Sequence, residues 1–298
     1  MKIENLSQER MGGFISYCKS HRKEVDDSFL YDEDLEKFKL GEENPTYLLM
    51  DEEENIIGVA SLIIDEYYKK GKRGRFRIFH SITNNVEYYR KLLRAILKHT
   101  EDINKIFVFA KEEEKDTINI LNSLNFYIER YSFHLKRDIK PIAESIFPEG
   151  FNLKTFDFNR DEEHWCEVRN AGFAKLKGSE TPRTPEMISE MQYDGDLLPG
   201  GMKILYNHDE PVGIVGVSSE IEESIEYAFI YSLAVKPEYQ GKALGRNLLR
   251  SALHHGKTLG IDRGMLTVNG ENDKALSLYL KEGFYKDKVV ICYNYDIR

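Results

Sequence analysis

One order of strand and helix patterns runs through this chain twice, and that internal repeat limits the folds open to it more than any other feature. In the first half, apolar residues in strand-like runs mark strands at 47–50 and 56–64, joined as a hairpin through the acidic turn 51–55, and a third strand at 76–82. Helical spacing of Leu92, Leu93, Ile96 and Leu97 predicts a helix over 87–98. A short buried strand at 106–110, a helix at 115–124 and a strand at 126–135 follow. The second half repeats the series, with strands at 203–206, 212–218 and 225–235, a helix at 244–259 and a strand at 265–268. The closing segments align as well, Leu121-Asn122-Ser123-Leu124-Asn125-Phe126-Tyr127 against Tyr279-Leu280-Lys281-Glu282-Gly283-Phe284-Tyr285. Each half opens on a helical, loop-rich stretch; in the second this is 161–175, with Trp165, Val168 and Phe173 inward, followed by the Gly/Pro-containing segment 177–185. The expectation is an α+β fold, a mixed and mostly antiparallel sheet flanked by helices, duplicated in units of about 145 residues. Pro141, Pro148 and Gly150 interrupt the pattern, so the boundary is placed near residue 145, dividing the chain into 1–145 and 146–298.

A length of 298 residues suits two such units, and 41% hydrophobic with 31% charged residues is the composition of a folded, water-soluble chain. A formal charge of −9 opposes nucleic acid as a partner, because phosphate backbones need a basic surface. The one basic run, residues 69–77, is read as a solvated hairpin turn beside Gly71 and Gly74, with a site for an anionic partner as the alternative. No stretch reaches the roughly 18 apolar residues of a membrane span, and the N-terminal segment lacks the apolar core of a signal peptide, so neither membrane insertion nor secretion is expected. Cys18, Cys166 and Cys292 are scattered without CxxC spacing; this disfavours a zinc site or a disulfide framework and points to the cytoplasm, and no metal is expected.

The segment that carries chemistry begins where a strand ends in Leu233, Ala234 and Val235. It passes through Lys236-Pro237-Glu238-Tyr239 into the turn Gln240-Gly241-Lys242-Ala243, and Leu244-Gly245-Arg246 opens an amphipathic helix. Such a junction aims several unpaired backbone N–H groups in one direction, and the helix dipole adds positive potential; the result is an anion site suited to a pyrophosphate. Gly241 and Gly245 let the backbone approach a phosphate closely, and Lys242 and Arg246 add charge. On the turn alone, an ordinary strand-turn-helix stands as open as a cofactor site.

These residues resemble the acyl-CoA motif of the GNAT acyltransferase superfamily, Gln/Arg-x-x-Gly-x-Gly/Ala, here Gln240 to Gly245 and preceded by Leu-x-Val-x-Pro-x-Tyr as Leu233 to Tyr239. Ala243 stands where the first glycine is expected. Downstream, Asn272-Asp273-Lys274-Ala275-Leu276-Ser277-Leu278-Tyr279-Leu280-Lys281-Glu282-Gly283-Phe284 resembles that family's Asn-x-x-Ala-x-x-Leu-Tyr-x-Lys-x-Gly-Phe. Ala275 and Tyr279 lie one helical turn apart on one face, so the small residue leaves room for a ligand beside the phenol.

The resemblance implies acetyl-CoA as co-substrate and direct transfer of its acetyl group to an amine, without a covalent enzyme intermediate. It implies that the backbone at Leu233, Ala234 and Val235 pairs with the pantetheine arm and that the Val235 amide polarises the thioester carbonyl. By the same resemblance, the turn from Gln240 to Arg246 holds the pyrophosphate, Asn272 bonds the pantetheine or pyrophosphate region, and Tyr279 protonates the departing thiolate. Phenol and thiol, with ordinary pKa values of about 10 and about 8.5, are matched well enough for that transfer. The general base stays open among Glu226, Tyr231, His254, His255 and a water chain, because Phe229 takes the strand position where many relatives carry a Glu.

At the matching junction of the first half, Ser81-Ile82-Thr83-Asn84-Asn85-Val86-Glu87 has no glycine, and Leu121 stands opposite Tyr279. The expectation is therefore a degenerate, non-catalytic GNAT-like unit at 1–145 and a catalytic one at 146–298, a layout similar to mycothiol synthase-like acyltransferases. The implied activity is a cytoplasmic N-acetyltransferase acting on a small-molecule or peptide amine as a monomer or weak homodimer. A non-catalytic acyl-CoA-binding protein and a transferase using charged transfer RNA stand as alternatives.

Overall fold

Strands rich in Ile, Val, Leu and aromatic residues alternate with amphipathic helices through residues 1–297, which the computed structural model describes. The chain forms two units, Met1–Tyr131 together with the residues from Val289 on, and Ser132–Lys288. The first runs β1 (Lys2–Asn5), α1 (Met11–His21), α2 (Asp32–Glu36), β2 (Thr46–Met50), β3 (Ile56–Ile63), α3 (Glu66–Lys70), β4 (Arg73–Ser81), α4 (Val86–Ile96), β5 (Lys105–Lys111), α5 (Lys115–Ser123) and the start of β6 (Tyr127–Arg137). The second continues with β7 (Phe151–Thr155), α6 (Glu162–Phe173), α7 (Pro185–Glu190), β8 (Lys203–Asn207), β9 (Glu210–Glu222), β10 (Ile225–Val235), α8 (Leu244–Thr258), β11 (Gly264–Asn269), α9 (Asp273–Lys281) and the start of β12 (Tyr285–Asp296).

Both units build the same sheet. In the first, β1-β2-β3-β4-β5-β12 lie side by side, antiparallel except for the parallel β4/β5 pair. In the second the order is β7-β8-β9-β10-β11-β6, with β10/β11 the parallel pair. The duplicated α+β architecture read from the repeat is thus present. Helices cover both faces of each sheet. In the first unit Leu92, Leu93 and Ile96 of α4 pack with Leu49, Leu62 and Ile106, while Phe14 and Cys18 of α1 pack with Leu48, Val59 and Ile78. In the second, Leu248, Leu249 and Ala252 of α8 meet Val215, Val217 and Ile230, and Trp165 and Val168 of α6 meet Ile204, Ile214 and Ala234.

The division differs from the expected boundary near residue 145. Residues 290–296 of β12 pair with β5, and residues 132–137 of β6 pair with β11, so each unit takes its sixth strand from the other half of the sequence. Residues 138–150, read as a break, pack on the second unit: the Arg137 guanidinium donates to the carbonyls of Glu282 (3.0 Å) and Pro141 (2.8 Å), and Ser145 Oγ donates to Asn247 O (2.7 Å). Among the described residues no helix is long and apolar enough to cross a membrane, and the three cysteines are free and buried.

The basic run at 69–77 is a solvated turn only in part: Lys69, Lys70 and Lys72 are exposed around a turn at 71–72, whereas its arginines are not. Residues up to Lys70 close α3, and Arg73, Arg75 and Arg77 alternate along one face of β4 beneath aromatic rings. The Arg75 guanidinium carbon sits 4.5 Å from the Phe29 ring centre and 4.9 Å from that of Phe109, and Arg77 sits 5.1 Å from that of Phe38. Guanidinium planes stack on rings and are weakly hydrated, so arginine tolerates this place where lysine would not. Arg75 Nη2 donates to Asp26 Oδ2 at 2.6 Å. Burial alone would raise the Asp26 carboxyl, but the Arg75 charge and the Ser28 hydroxyl together hold it below its ordinary value. The stability this pair contributes is therefore present above about pH 4 and fades as pH falls through the folded carboxyl's titration. Asp26→Asn leaves the buried Arg75 charge without its counter-ion and is expected to lower unfolding stability by about 3 kcal/mol in a urea titration at neutral pH; an unchanged midpoint would contradict the pairing.

Candidate active site

The site of the second unit is set by where strand pairing stops. β10 and β11 pair through Ala228, Phe229 and Ile230 against Gly264, Met265 and Leu266, and the ladder ends there although β10 continues to Val235. At the same point the β10/β9 register shifts between Ile230 and Ser232, leaving Tyr231 as the extra residue of a bulge. Gly216 is needed opposite: a Cβ there would lie 2.3 Å from Tyr231 Cζ, so the ring can seat against β9 only over a glycine. Beyond the bulge β10 stays paired with β9, and Lys236 N–H donates to Val212 O at 2.9 Å. By the alternation of an antiparallel ladder, Ala234 turns its polar backbone groups toward β9, while Leu233 and Val235 turn theirs to the edge that β11 has left. Of the three strand residues expected to meet a pantetheine arm, Leu233 presents its N–H and C=O there and Val235 its N–H, the Val235 carbonyl being taken by the Gln240 side chain.

The strand then enters the turn. The side chains of Lys236, Glu210 and Tyr239 lock its base: Lys236 Nζ contacts Glu167 Oε1 at 2.6 Å and Glu210 Oε1 at 2.9 Å, and the Tyr239 hydroxyl donates to Glu210 Oε2 at 2.7 Å. The Gln240 side-chain amide donates to Val235 O at 3.1 Å, pinning the turn to the strand end. Gly241 has φ +83° and Ala243 φ +59°, with Lys242 between them at negative φ. Alternating signs of φ turn successive amides toward one side, a concave anion-binding arrangement. The first intrahelical bond of α8 runs from Asn247 N–H to Ala243 O (3.1 Å), which leaves the amides of Leu244, Gly245 and Arg246 without a helical acceptor, and no side chain caps this end. A Cβ on Gly245 would meet nothing nearer than Leu233 Cδ2 at 3.8 Å. Open amides beside the free end of β10 suit a pyrophosphate followed by an extended arm.

The remaining expected residues divide between this opening and the scaffold. Lys242 is exposed with its ammonium 5.0 Å over the Tyr239 ring. Arg246 Nε lies 3.2 Å from Glu282 Oε1, the carboxylate that also holds Arg250, so part of its charge is already matched. The Leu244 side chain is buried in the core and offers only its amide. Asn272 Oδ1 accepts the Ala275 N–H at 3.2 Å and thereby caps α9. Tyr279 is buried on α9, its ring centre 6.1 Å from that of Phe284, and among the described residues its hydroxyl has no hydrogen-bond partner. Burial pushes its phenol up to about 12, so it stays protonated across the working range.

Three of the base candidates are engaged in other hydrogen bonds. His254 Nε2 is bonded to Ala143 O (3.1 Å) and His255 Nε2 to Pro199 O (2.9 Å). Burial and the nearby Lys203 charge hold His255 below its ordinary value. Glu226 accepts from Ser219 Oγ at 2.6 Å on an exposed strand end. The Tyr231 hydroxyl is buried without a partner, and burial, with the Asp196 and Asp194 charges, drives it upward, away from a phenolate. The Lys236, Glu210 and Tyr239 lock was not anticipated; Lys236 and Tyr239 sit in the quoted motif, but Glu210 is distant in sequence and carries no signal of its own.

The first unit repeats the geometry with different contents. β4 and β5 also pair for only three residues, Arg73 to Arg75 against Lys105 to Phe107. There the Asn85 side chain accepts the Glu87 N–H (2.9 Å) and caps α4, while Phe76, Phe79, Val108 and Leu121 pack in one apolar cluster.

A model of the Acetyltransferase (GNAT) family matches residues 156–284, which hold both the turn and Tyr279. Over these residues the chain is similar to the GNAT acetyltransferases. Among curated relatives, the mycothiol acetyltransferase of Streptomyces griseus subsp. griseus is 29% identical over 68% of this chain and 66% of its own length. That of Rhodococcus erythropolis is 25% identical over 62% of this chain and 64% of its own length. The chain thus spans just under two thirds of the length of these relatives. Two solved structures show the same fold along the whole chain: a GCN5-related N-acetyltransferase from Sphaerobacter thermophilus (TM-score 0.71, 15% identity, 100% of this chain and 96% of that one) and a tandem GNAT protein from the clavulanic acid biosynthesis pathway (TM-score 0.71, 13% identity, 100% and 98%). The tandem GNAT layout read from the repeat is borne out.

Ala243 departs from the GNAT glycine at a place where the departure matters, because a left-handed φ costs a residue with a Cβ about 1–2 kcal/mol. Ala243→Gly relieves this and gives back part through unfolded-state entropy. A net gain of about 0.5–1 kcal/mol, read as a melting temperature about 2 °C higher, is expected; an unchanged or lower value would contradict the left-handed turn.

Proposed function

We propose that the second unit transfers an acetyl group from acetyl-CoA to a primary amine of a small molecule or peptide, in the cytoplasm. The observation that carries this is the uncapped, alternating-φ start of α8 beside the free edge of β10, with the buried Tyr279 phenol on α9. The amides of Leu244, Gly245 and Arg246 would take the pyrophosphate, and Leu233 and Val235 would extend the sheet onto the pantetheine arm. The thioester supplies the activated acyl group. The Val235 amide is the donor for its carbonyl, and Tyr279, protonated at neutral pH, gives its proton to the sulfur that leaves. No carboxylate stands at Phe229, so the amine's proton goes to water. The relatives named mycothiol acetyltransferase and N-acetyltransferase support acetyl transfer as the chemistry. The first unit, with its capped α4 and Leu121 in place of the phenol, is proposed to be a non-catalytic copy.

A second reading is acyl-CoA binding without turnover, favoured by Phe229 on β10 and by the strain at Ala243. Release of free CoA from acetyl-CoA over a panel of primary amines separates the two, since binding without release supports the second. Under the first, Tyr279→Phe is expected to lower kcat about 100-fold with little change in the KM for acetyl-CoA, and the wild-type rate is expected to show no alkaline loss from this group until pH approaches about 12. Full turnover in the Phe variant would remove Tyr279 from the acid role.

A further inference from the structure

A cluster in the first unit has no part in acetyl transfer. His21 is the last residue of α1, Glu24 lies in the short 3-10 turn that follows, and His80 is the penultimate residue of β4. One donor atom from each lies within 4.8 Å of the others. His80 Nε2 is 3.2 Å from Glu24 Oε2, and His21 Nδ1 is 2.9 Å from Glu24 Oε1, so two imidazoles converge on the two oxygens of one carboxylate. Among the described residues no lysine or arginine pairs with Glu24.

We propose that His21, Glu24 and His80 bind one divalent transition-metal ion, zinc by preference. Ligands about 2.0–2.2 Å from a tetrahedral zinc ion stand about 3.3 Å apart, which is the spacing that the His80 and Glu24 atoms already have. The ring is oriented as metal-binding histidines are. The Tyr17 hydroxyl, one helical turn before His21, is hydrogen-bonded to His80 Nδ1 at 2.8 Å and leaves Nε2 as the atom that faces the carboxylate. The His21 side chain is partly exposed and that of Glu24 more than half exposed, so an ion enters from solvent and its open positions take water. Two imidazoles with a single carboxylate suit zinc, cobalt or nickel, whereas magnesium and calcium seek oxygen ligands. Bound there, the ion ties the C-terminal end of α1 to the end of β4. The expectation of no metal rested on cysteine spacing, and His80 is too far along the chain from His21 and Glu24 for any motif to join them.

The test uses the full chain treated with a chelator and titrated calorimetrically with zinc chloride, with cobalt chloride as a spectroscopic probe. The proposal predicts one equivalent of zinc, a higher melting temperature with it, visible cobalt absorption, and no heat from magnesium chloride. Glu24→Gln and His21→Gln, at partly solvated positions, are each expected to weaken binding about tenfold or more while the metal-free melting temperature stays unchanged, and Tyr17→Phe to weaken it about tenfold. Absence of zinc binding, or one equivalent retained undiminished in the Glu24→Gln, His21→Gln double variant, would overturn the assignment.

Discussion

Parallel pairing between β10 and β11 lasts for three residue pairs, and the second unit is organised around the place where it stops. A strand that keeps its β9 partner but loses its β11 partner exposes backbone donors and acceptors on one edge, and such groups demand an extended ligand or water. The Tyr231 bulge marks the turning point, with Gly216 making room for its ring. From there the sequence leads through a turn locked by Lys236, Glu210 and Tyr239 to an uncapped helix start, so the free strand edge and the free amides follow one another along a single path.

The first unit shows that the splayed strands are not sufficient. Its β4/β5 pair is as short, yet Asn85 satisfies the helix start and Phe76, Phe79, Val108 and Leu121 pack together. What separates the two copies is local chemistry at the helix N-terminus and on the following helix, while the backbone plan is shared. Duplication of a fold with divergence of a few side chains is the economical explanation, because the sheet and its apolar faces carry stability irrespective of what the opening holds.

The sequence carried most of the plan because it is written in local patterns. The hairpins, the helices over Leu92 to Ile96 and Leu244 to Thr258, and the turn at Gln240 to Gly245 were legible from apolar period and from motif. The sixth strand of each unit was not, since residues 132–137 and 290–296 carry similar strand patterns and nothing local says which neighbour either will choose. The arginines of β4 misled because charge suggests solvent, and only the tertiary fold brings Phe29, Phe38 and Phe109 over them. At the proposed site, the motif singled out a segment but could not divide its roles. Asn272 caps α9, Gln240 braces Val235, and Leu233 and Val235 face the open edge by an alternation that only the β9 register fixes.

The central claim is that one of two like units has kept an open phosphate-binding helix start. Calorimetric titration of the full chain with acetyl-CoA, beside a Gly245→Glu variant that places a carboxylate at that start, tests it most directly. The account predicts one equivalent bound by the wild type and none by the variant; no binding, two equivalents, or binding that survives Gly245→Glu would contradict it.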